Sequence, residues 1–338
     1  MPIPEGFEDY AALLGFPKSE TMGRILEILF DGEDDVKVTS GMPGTISVIT
    51  EKCGLSEEKV REVVDRLFSR GILIRTMRKT NYYRLFSVMI ELRDSTVIYW
   101  KDAPQELYEL WQQLLLKEMG PLLTTMKEMK IKPMVRVIPV EETIDSQNMI
   151  LDVDSAKKIF SNAELVSAVP CACRTLVERT GGMENCPAPE KAVCMQTNAF
   201  AKQIIDRGAG EQLTNEEALK RIVEAEQAGL VHVVRNNINE DMFMCNCCSC
   251  CCAGLHFINV LDCKDMYAPS RFKAEINLDD CNTCGICEEK CQFNAIVVDD
   301  ETSIIEDSCY GCGVCVANCP EGALSLEEIR PKEFIKVS

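Results

Sequence analysis

Histidine and tryptophan are scarce in this chain, with two of each among 338 residues. No Ser-His-Asp set and no paired-carboxylate constellation stands out. Gly-x-Gly-x-x-Gly is absent, and so is Gly-x-x-x-x-Gly-Lys-Ser/Thr, which removes the sequence marks of a dinucleotide site and of a P-loop. There is no run of about 20 apolar residues, so no segment is expected to span a membrane. The first residues, Met1-Pro-Ile-Pro-Glu-Gly-Phe-Glu-Asp9, have neither a basic n-region nor an apolar h-region. A cytoplasmic protein is therefore expected. Positive charge is also short, 36 Lys and Arg against 54 Asp and Glu, for a net charge of −18. Such a surface repels nucleic acid and suits a basic patch on a partner protein. Any catalysis is expected to come from metal centres.

Cysteine is what the chain has in excess, at 20 residues. That number signals a disulfide scaffold only in a short secreted chain. Here the chain is long enough for two or three domains and is 46% hydrophobic, so a globular protein with reduced or metal-bound thiols is expected. Eight cysteines fall in two runs, Cys281-x-x-Cys284-x-x-Cys287-x-x-x-Cys291 and Cys309-x-x-Cys312-x-x-Cys315-x-x-x-Cys319-Pro320. Three cysteines on one tight loop aim three thiolates at three corners of an iron–sulfur cube, and the fourth starts a helix that carries it to the other cube. Zinc sites usually space their cysteines as two separated pairs, which these runs do not.

The arrangement resembles the bacterial two-cluster ferredoxin family over roughly residues 271–328. The resemblance implies that Cys281, Cys284, Cys287 and Cys319 hold one [4Fe-4S] cluster, and that Cys309, Cys312, Cys315 and Cys291 hold the other. One departure is visible. Gln292 follows Cys291 where the family usually has proline, and it is expected either to loosen that turn or to shift the potential of its cluster.

From Tyr267 to the end there are six Lys and Arg against fourteen Asp and Glu, whereas residues 1–100 carry thirteen against sixteen. The nearly balanced start has helical periodicity over Met22–Phe30, then the acidic turn Asp31–Asp35 and a short helix Ile46–Cys53 stopped by Gly54. Ser56 caps a helix with Val60, Val63, Val64, Leu67 and Phe68 on one face, ending at Gly71. Ile72–Ile74 and Tyr82–Ile90 follow as strands. This order resembles the winged helix-turn-helix fold over roughly residues 20–92. Its hairpin carries Arg75, Arg78, Lys79 and Arg84, as a DNA-contacting wing would. The preceding helix mixes four acids with four bases, which weakens phosphate affinity, so a protein-docking role is expected instead. Cys53 is expected to be packing. Ala103–Met129 reads as an amphipathic helix broken at Gly120-Pro121, and Ile131–Val140 as an extended linker.

Eleven further cysteines lie between residues 171 and 263 without ferredoxin spacing. Val166–Val169 is a strand leading to Cys171 and Cys173; Cys186 follows, and Cys194 heads a helix near Thr197–Arg207. Thr214 with Glu217 forms a capping box, and Leu230–Val234 is a strand. Then comes the run Cys245, Cys247, Cys248, Cys250, Cys251, Cys252. Thiols this dense would oxidise or scavenge metal unless they already ligate one. Cys171, Cys173, Cys186 and Cys194 supply enough thiolates for one cube, and the Cys245–Cys252 run could supply another, or the two regions meet in one site. One or two further iron–sulfur clusters are expected here, with structural zinc and a thiol redox centre as alternatives. His232, and Arg174 beside Cys173, are candidates to act next to a cluster, His232 as ligand or hydrogen-bond donor; His256 is expected to be structural. The strings Pro170–Arg174, Glu216–Leu219, Ala228–His232 and Cys245–Cys252 resemble a family of iron–sulfur proteins from anaerobes that also end in a two-cluster ferredoxin. That resemblance implies electron transfer in anaerobic metabolism.

The expected fold is α+β and multidomain: a winged-helix-like domain at 1–100, an amphipathic helix and linker at 101–132, a cysteine-rich α/β middle domain at 133–268, and a ferredoxin-like 2[4Fe-4S] module at 269–338. The expected role is relay of low-potential electrons to or from a larger oxidoreductase through a redox partner protein, with no nucleic acid and no membrane insertion. Two alternatives stand beside it. Cys251-Cys252-Ala-Gly faintly resembles the Cys-Cys-Gly motif of heterodisulfide reductases, which implies an enzyme reducing a disulfide or other small substrate; the winged helix implies a redox-sensing regulator.

Overall fold

The computed structural model describes residues 3–76, 81–140, 154–182, 185–190, 193–237 and 243–335. Arg78 and Lys79 of the basic hairpin lie outside the described residues. The chain divides into two compact units, Met1–Leu122 with Ala172–Gly182, and Leu123–Cys171 with Met183–Ser338.

The first unit is mostly helical around a three-stranded antiparallel sheet of β1 (Gly44–Thr45), β2 (Leu73–Arg75) and β3 (Tyr82–Leu85), in the order β1-β3-β2. Helix Ile46–Cys53 ends at Gly54, whose φ of 72° is the left-handed stop that glycine supplies without strain. Ser56 accepts from the Lys59 N–H at the start of helix Glu57–Ser69, which buries Val60, Val63, Val64 and Leu67. Three elements differ from expectation. The acidic turn runs directly into a helix, Asp35–Ser40, whose Val38 enters the core. The second strand of the hairpin stops at Leu85, and Met89–Tyr99 is a helix that buries Met89, Leu92 and Thr96 at helical spacing. The Gly120-Pro121 pair does not break the long helix. A π turn, Leu114–Glu118, joins Gln105–Gln113 to Met119–Glu128, and the wider turn makes room for the proline ring against the preceding carbonyls.

The second unit is built on a seven-stranded sheet: β4 (Val135–Ile138), β5 (Val166–Val169), β6 (Cys194–Thr197), β7 (Glu211–Leu213), β8 (Val231–Arg235), β9 (Phe243–Cys247) and β10 (Tyr267–Ala268). Their order is β10-β4-β8-β9-β6-β5-β7. Among the described residues only the β10–β4 pair of this sheet is parallel, so this region is an antiparallel α+β layer where an α/β domain was expected. The stretch expected as a linker supplies β4, because Val137 and Ile138 alternate onto opposite faces and are both buried. One face packs Met195, Val234 and Met244 against helices Ala156–Ser161 and Asn215–Gln227 through Phe160, Ala218 and Ile222. The other packs Val137, Val231 and Val233 against helix Ala253–Asn259 and the C-terminal segment through Leu255, Phe293, Tyr310 and Val314.

The C-terminal segment folds as two short ribbons, β11 (Phe272–Ile276) with β14 (Leu324–Glu328), and β12 (Ile296–Val298) with β13 (Thr302–Ile304). A buried ion cluster pins it to the sheet. Asp154 accepts from Arg136 Nη1 of β4 at 2.8 Å and from Arg271 Nη1 at 3.1 Å, and all three side chains are about 1% exposed. Burial disfavours the Arg136 charge and Asp154 opposes that effect. The Val140 N–H also donates to the Cys312 carbonyl at 3.0 Å.

Candidate metal centres

In each C-terminal run the third cysteine lies in the first turn of a short helix, Ile286–Lys290 or Val314–Ala317, and the fourth follows the helix end instead of starting a helix as expected. A glycine precedes each helix in the left-handed region, Gly285 at φ 79° and Gly313 at 76°. That conformation turns the backbone sharply between the second and third cysteines, so that all three thiols face one point. Two residues before Gly313, Gly311 at φ 63° lies against the Phe272 carbonyl, and its counterpart Thr283 takes the same region at φ 55° on an exposed loop.

Two clefts result. Cys281, Cys284, Cys287 and Cys319 line one of about 330 Å³ with Ile276, Ile286 and Leu324 among its walls. Cys291, Cys309, Cys312 and Cys315 line the other, about 350 Å³, walled by Phe293 and Tyr310, which stack with centroids 4.3 Å apart. Each cleft takes three thiols from one run and the fourth from the other. Burial pushes the Cys315 thiol up to about 12, and neighbouring sulfurs add to it. Cys312 is held well above the ordinary range and Cys287 and Cys291 are raised, with burial leading in each. Four sulfurs converging in an apolar cleft become tenable as thiolates only around positive charge. Donors already aim at the sulfurs, Ala295 N–H at Cys291 Sγ (3.2 Å) and Thr283 N–H at Cys281 Sγ (3.5 Å). The residues present fit a [4Fe-4S] cluster in each cleft.

Residues 280–324 match the family model of the 4Fe-4S dicluster domain. The protein is an iron–sulfur protein. No curated protein and no solved structure matches the chain. Among the described residues no helix is long and apolar enough to cross a membrane.

Outside the dicluster module the structure sorts the middle cysteines into groups that spacing did not separate. Strand β9 keeps Cys245 and Cys247 on one face, and these join Cys252, whose Sγ lies 3.2 Å from Tyr267 Oη. Hydrogen bonding with Cys245 and Cys252, then burial, holds the Cys247 thiol well above its ordinary range. Gly254 is required beside this group, since a Cβ there would lie 2.0 Å from Tyr267 Oη. The turn after β9 sends Cys248, Cys250 and Cys251 elsewhere, to Cys186, and these four sulfurs lie within 4.8 Å of one another. The two cysteine regions thus meet in one site, one of the options the sequence left open. The adjacent Cys251 and Cys252 face different groups, which separates the pair likened to a Cys-Cys-Gly motif.

The set Cys171, Cys173, Cys186 and Cys194 is distributed differently from the single cube it could have formed. Cys194 lies on β6, not at a helix start, and its Sγ accepts from Gln196 Nε2 at 3.5 Å. Cys171 closes the stretch after β5, and Cys173 belongs to the first unit, on helix Ala172–Arg179 with Arg174. There Cys173 Sγ accepts from Arg93 Nη2 at 3.4 Å. Burial works against the Arg93 charge, and Asp94 and Cys173 outweigh it. Sequence inspection missed Arg93, which lies 80 positions from its sulfur in a segment without a motif. His232 is 1% exposed and both its ring nitrogens face oxygen: its Nδ1 pairs with Asn246 Oδ1 at 2.5 Å and its Nε2 with Glu226 Oε1 at 3.0 Å. Half-buried Cys53 points its Sγ at the Thr50 carbonyl, 3.8 Å away. Burial lowers His256.

Proposed function

We propose that the protein relays single electrons between a redox partner protein and a larger oxidoreductase of anaerobic metabolism. Cys281, Cys284, Cys287 and Cys319 would hold one [4Fe-4S] cluster, and Cys309, Cys312, Cys315 and Cys291 the second. When bound, such clusters take up and release one electron at a time at potentials set by burial, charge and hydrogen bonds to sulfur. The observation that carries this reading is the exchange of the fourth thiol: Cys319 stands in the first cleft and Cys291 in the second, so one short chain segment bridges both. The chain's own groups define the ends of the path. Cys284 of the first cleft is exposed, whereas Cys291, Cys309, Cys312 and Cys315 of the second are half-buried or buried, which makes the first cleft the side nearest a partner. Exposed Glu288, Glu289, Asp299, Asp300, Glu301, Glu306, Asp307 and Glu321 give the module an acidic surface that steers a basic partner.

The first unit, with its winged-helix-like order of helices and hairpin, serves protein docking. The bases of helix Glu57–Ser69, and Arg70 just after it, are paired with acids within the unit: Lys59 with Glu62, Arg61 with Glu57, Arg66 with Asp31 and Asp35, and Arg70 with Asp31. Cations so paired have little left for phosphates.

The test is anaerobic purification of the full chain, with iron and acid-labile sulfide analysis and EPR after dithionite reduction. About eight irons in the dicluster module and two one-electron signals are expected, with the C284S variant losing one of them. Reoxidation by a basic one-electron acceptor protein should slow as salt rises. A chain that carries no sulfide, or that dithionite cannot reduce, overturns the relay.

A further inference from the structure

The two dicluster clefts and the Cys186 site differ in one physical respect. Among the described residues, the thiols that line each cleft do not gather within 4.8 Å of one another. The sulfurs of Cys186, Cys248, Cys250 and Cys251 have closed in on one another. Cys248 to Cys250 is 3.2 Å, Cys186 to Cys248 and Cys250 to Cys251 are each 3.6 Å, and Cys186 to Cys251 is 3.8 Å. A tetrahedron with metal–sulfur bonds of 2.3 Å has sulfur–sulfur edges of about 3.8 Å. In a cube each thiolate sits outside its own iron, so its four sulfurs must lie farther apart than around one ion.

We propose that Cys186, Cys248, Cys250 and Cys251 hold a single zinc ion. Four thiolates select zinc or iron–sulfur chemistry, the spacing suits one ion, and zinc outcompetes ferrous iron at such sites. The loop is shaped for it. The Cys251 and Cys252 N–H groups both turn back to the Cys248 carbonyl, at 3.4 and 3.0 Å, which folds three ligands onto one side. The Ser249 N–H donates to Gln292 Oε1 at 2.7 Å, and Gln292 Nε2 donates to the Gly229 carbonyl at 3.1 Å. Gln292 is thus a positioning residue that holds the ligand turn from the dicluster module. Cys248 and Cys251 are buried and Cys250 is exposed, which leaves the ion a path in.

The experiment is metal analysis of the anaerobically purified full chain, produced with both iron and zinc in the medium and passed through a chelator step. About one zinc per chain is expected, lost in C186S and in C250S with iron and sulfide unchanged. Cys250 is exposed, so its serine variant removes a ligand without opening the core. Zinc-edge X-ray absorption of the unaltered chain reads the same site without any variant, and four sulfur neighbours at about 2.3 Å are expected. Absence of zinc overturns the proposal, whether C250S then loses four irons with sulfide, a single iron, or no metal. Zinc with nitrogen or oxygen neighbours, or zinc retained in both serine variants, overturns it as well.

Discussion

Replacing Gly311 with alanine is expected to destroy one cluster site and spare the other. Gly311 has φ 63°, a region that costs an L-residue about 1–2 kcal/mol. Its added Cβ would stand 2.0 Å from the Phe272 carbonyl oxygen, 2.6 Å from that carbonyl carbon and 2.4 Å from Ser270 Oγ. None of these neighbours is free to yield. Phe272 begins β11 and is paired with Glu328, and Ser270 Oγ already donates to the Gly311 carbonyl at 2.7 Å. The loop would have to retreat by roughly an ångström, an overpacking that costs about 1–3 kcal/mol more. The total is about 2–5 kcal/mol, placed on the loop that carries Cys309, Cys312 and Cys315. Iron per chain in the dicluster module is expected to fall from about eight to about four, with one EPR signal lost. Thr283→Ala is the matched control, since Thr283 takes φ 55° at the same point of the first run with its side chain exposed. It is expected to keep all its iron and to shift stability by less than about 0.5 kcal/mol in anaerobic denaturation. A G311A protein with full iron and unaltered stability would refute the close approach of this loop to β11.

Asp154→Ala strands Arg136 and weakens the hold on Arg271 in the interior, and a loss of about 3–5 kcal/mol is expected in anaerobic chemical denaturation; a loss under 1 kcal/mol would mean that the cluster does not pin the C-terminal segment. His232→Ala leaves Glu226 and Asn246 without their shared partner, which costs about 1–3 kcal/mol, while iron content stays unchanged. Iron lost along with stability in that variant would return His232 to the role of ligand. Thr214→Ala removes a complete capping box from helix Asn215–Gln227 and is expected to cost about 1 kcal/mol without altering metal content.

The cysteine runs at the C-terminus are legible in sequence because their geometry is local. Within each run, three ligands and the left-handed glycine lie inside seven residues, and only the exchanged fourth thiol is distant. Caps are legible for the same reason, as at Ser56 and Thr214. What is illegible depends on tertiary pairing. Nothing near Val135–Ile138 announces that β8 and β10 will flank it, so the segment looks like a linker until both neighbours are in place. Gly120-Pro121 looks like a break because the relief comes from a π turn whose Leu-Leu-Leu sequence is ordinary helix. The middle cysteines fail differently. Spacing alone cannot say that Cys186 crosses 62 positions to Cys248, nor that a turn between Cys247 and Cys248 splits one run into two groups.

Gln292 joins the legible part to the illegible part. In a free-standing two-cluster module, proline after the fourth cysteine needs only to shape a turn. Here the residue after Cys291 is 8% exposed and faces the middle sheet, with three partners waiting: the Ser249 N–H, the Gly229 carbonyl and the Asn259 amide, which donates to the Gln292 carbonyl at 2.9 Å. Proline would keep the last of these and lose the other two, leaving the Ser249 N–H of the Cys248–Cys251 turn without its acceptor at a cost of about 1 kcal/mol. The departure from the family pattern exchanges a local constraint for a tertiary one, in which the residue after Cys291 also holds the Cys248–Cys251 turn. A change on either side of Gln292 is thereby felt on the other.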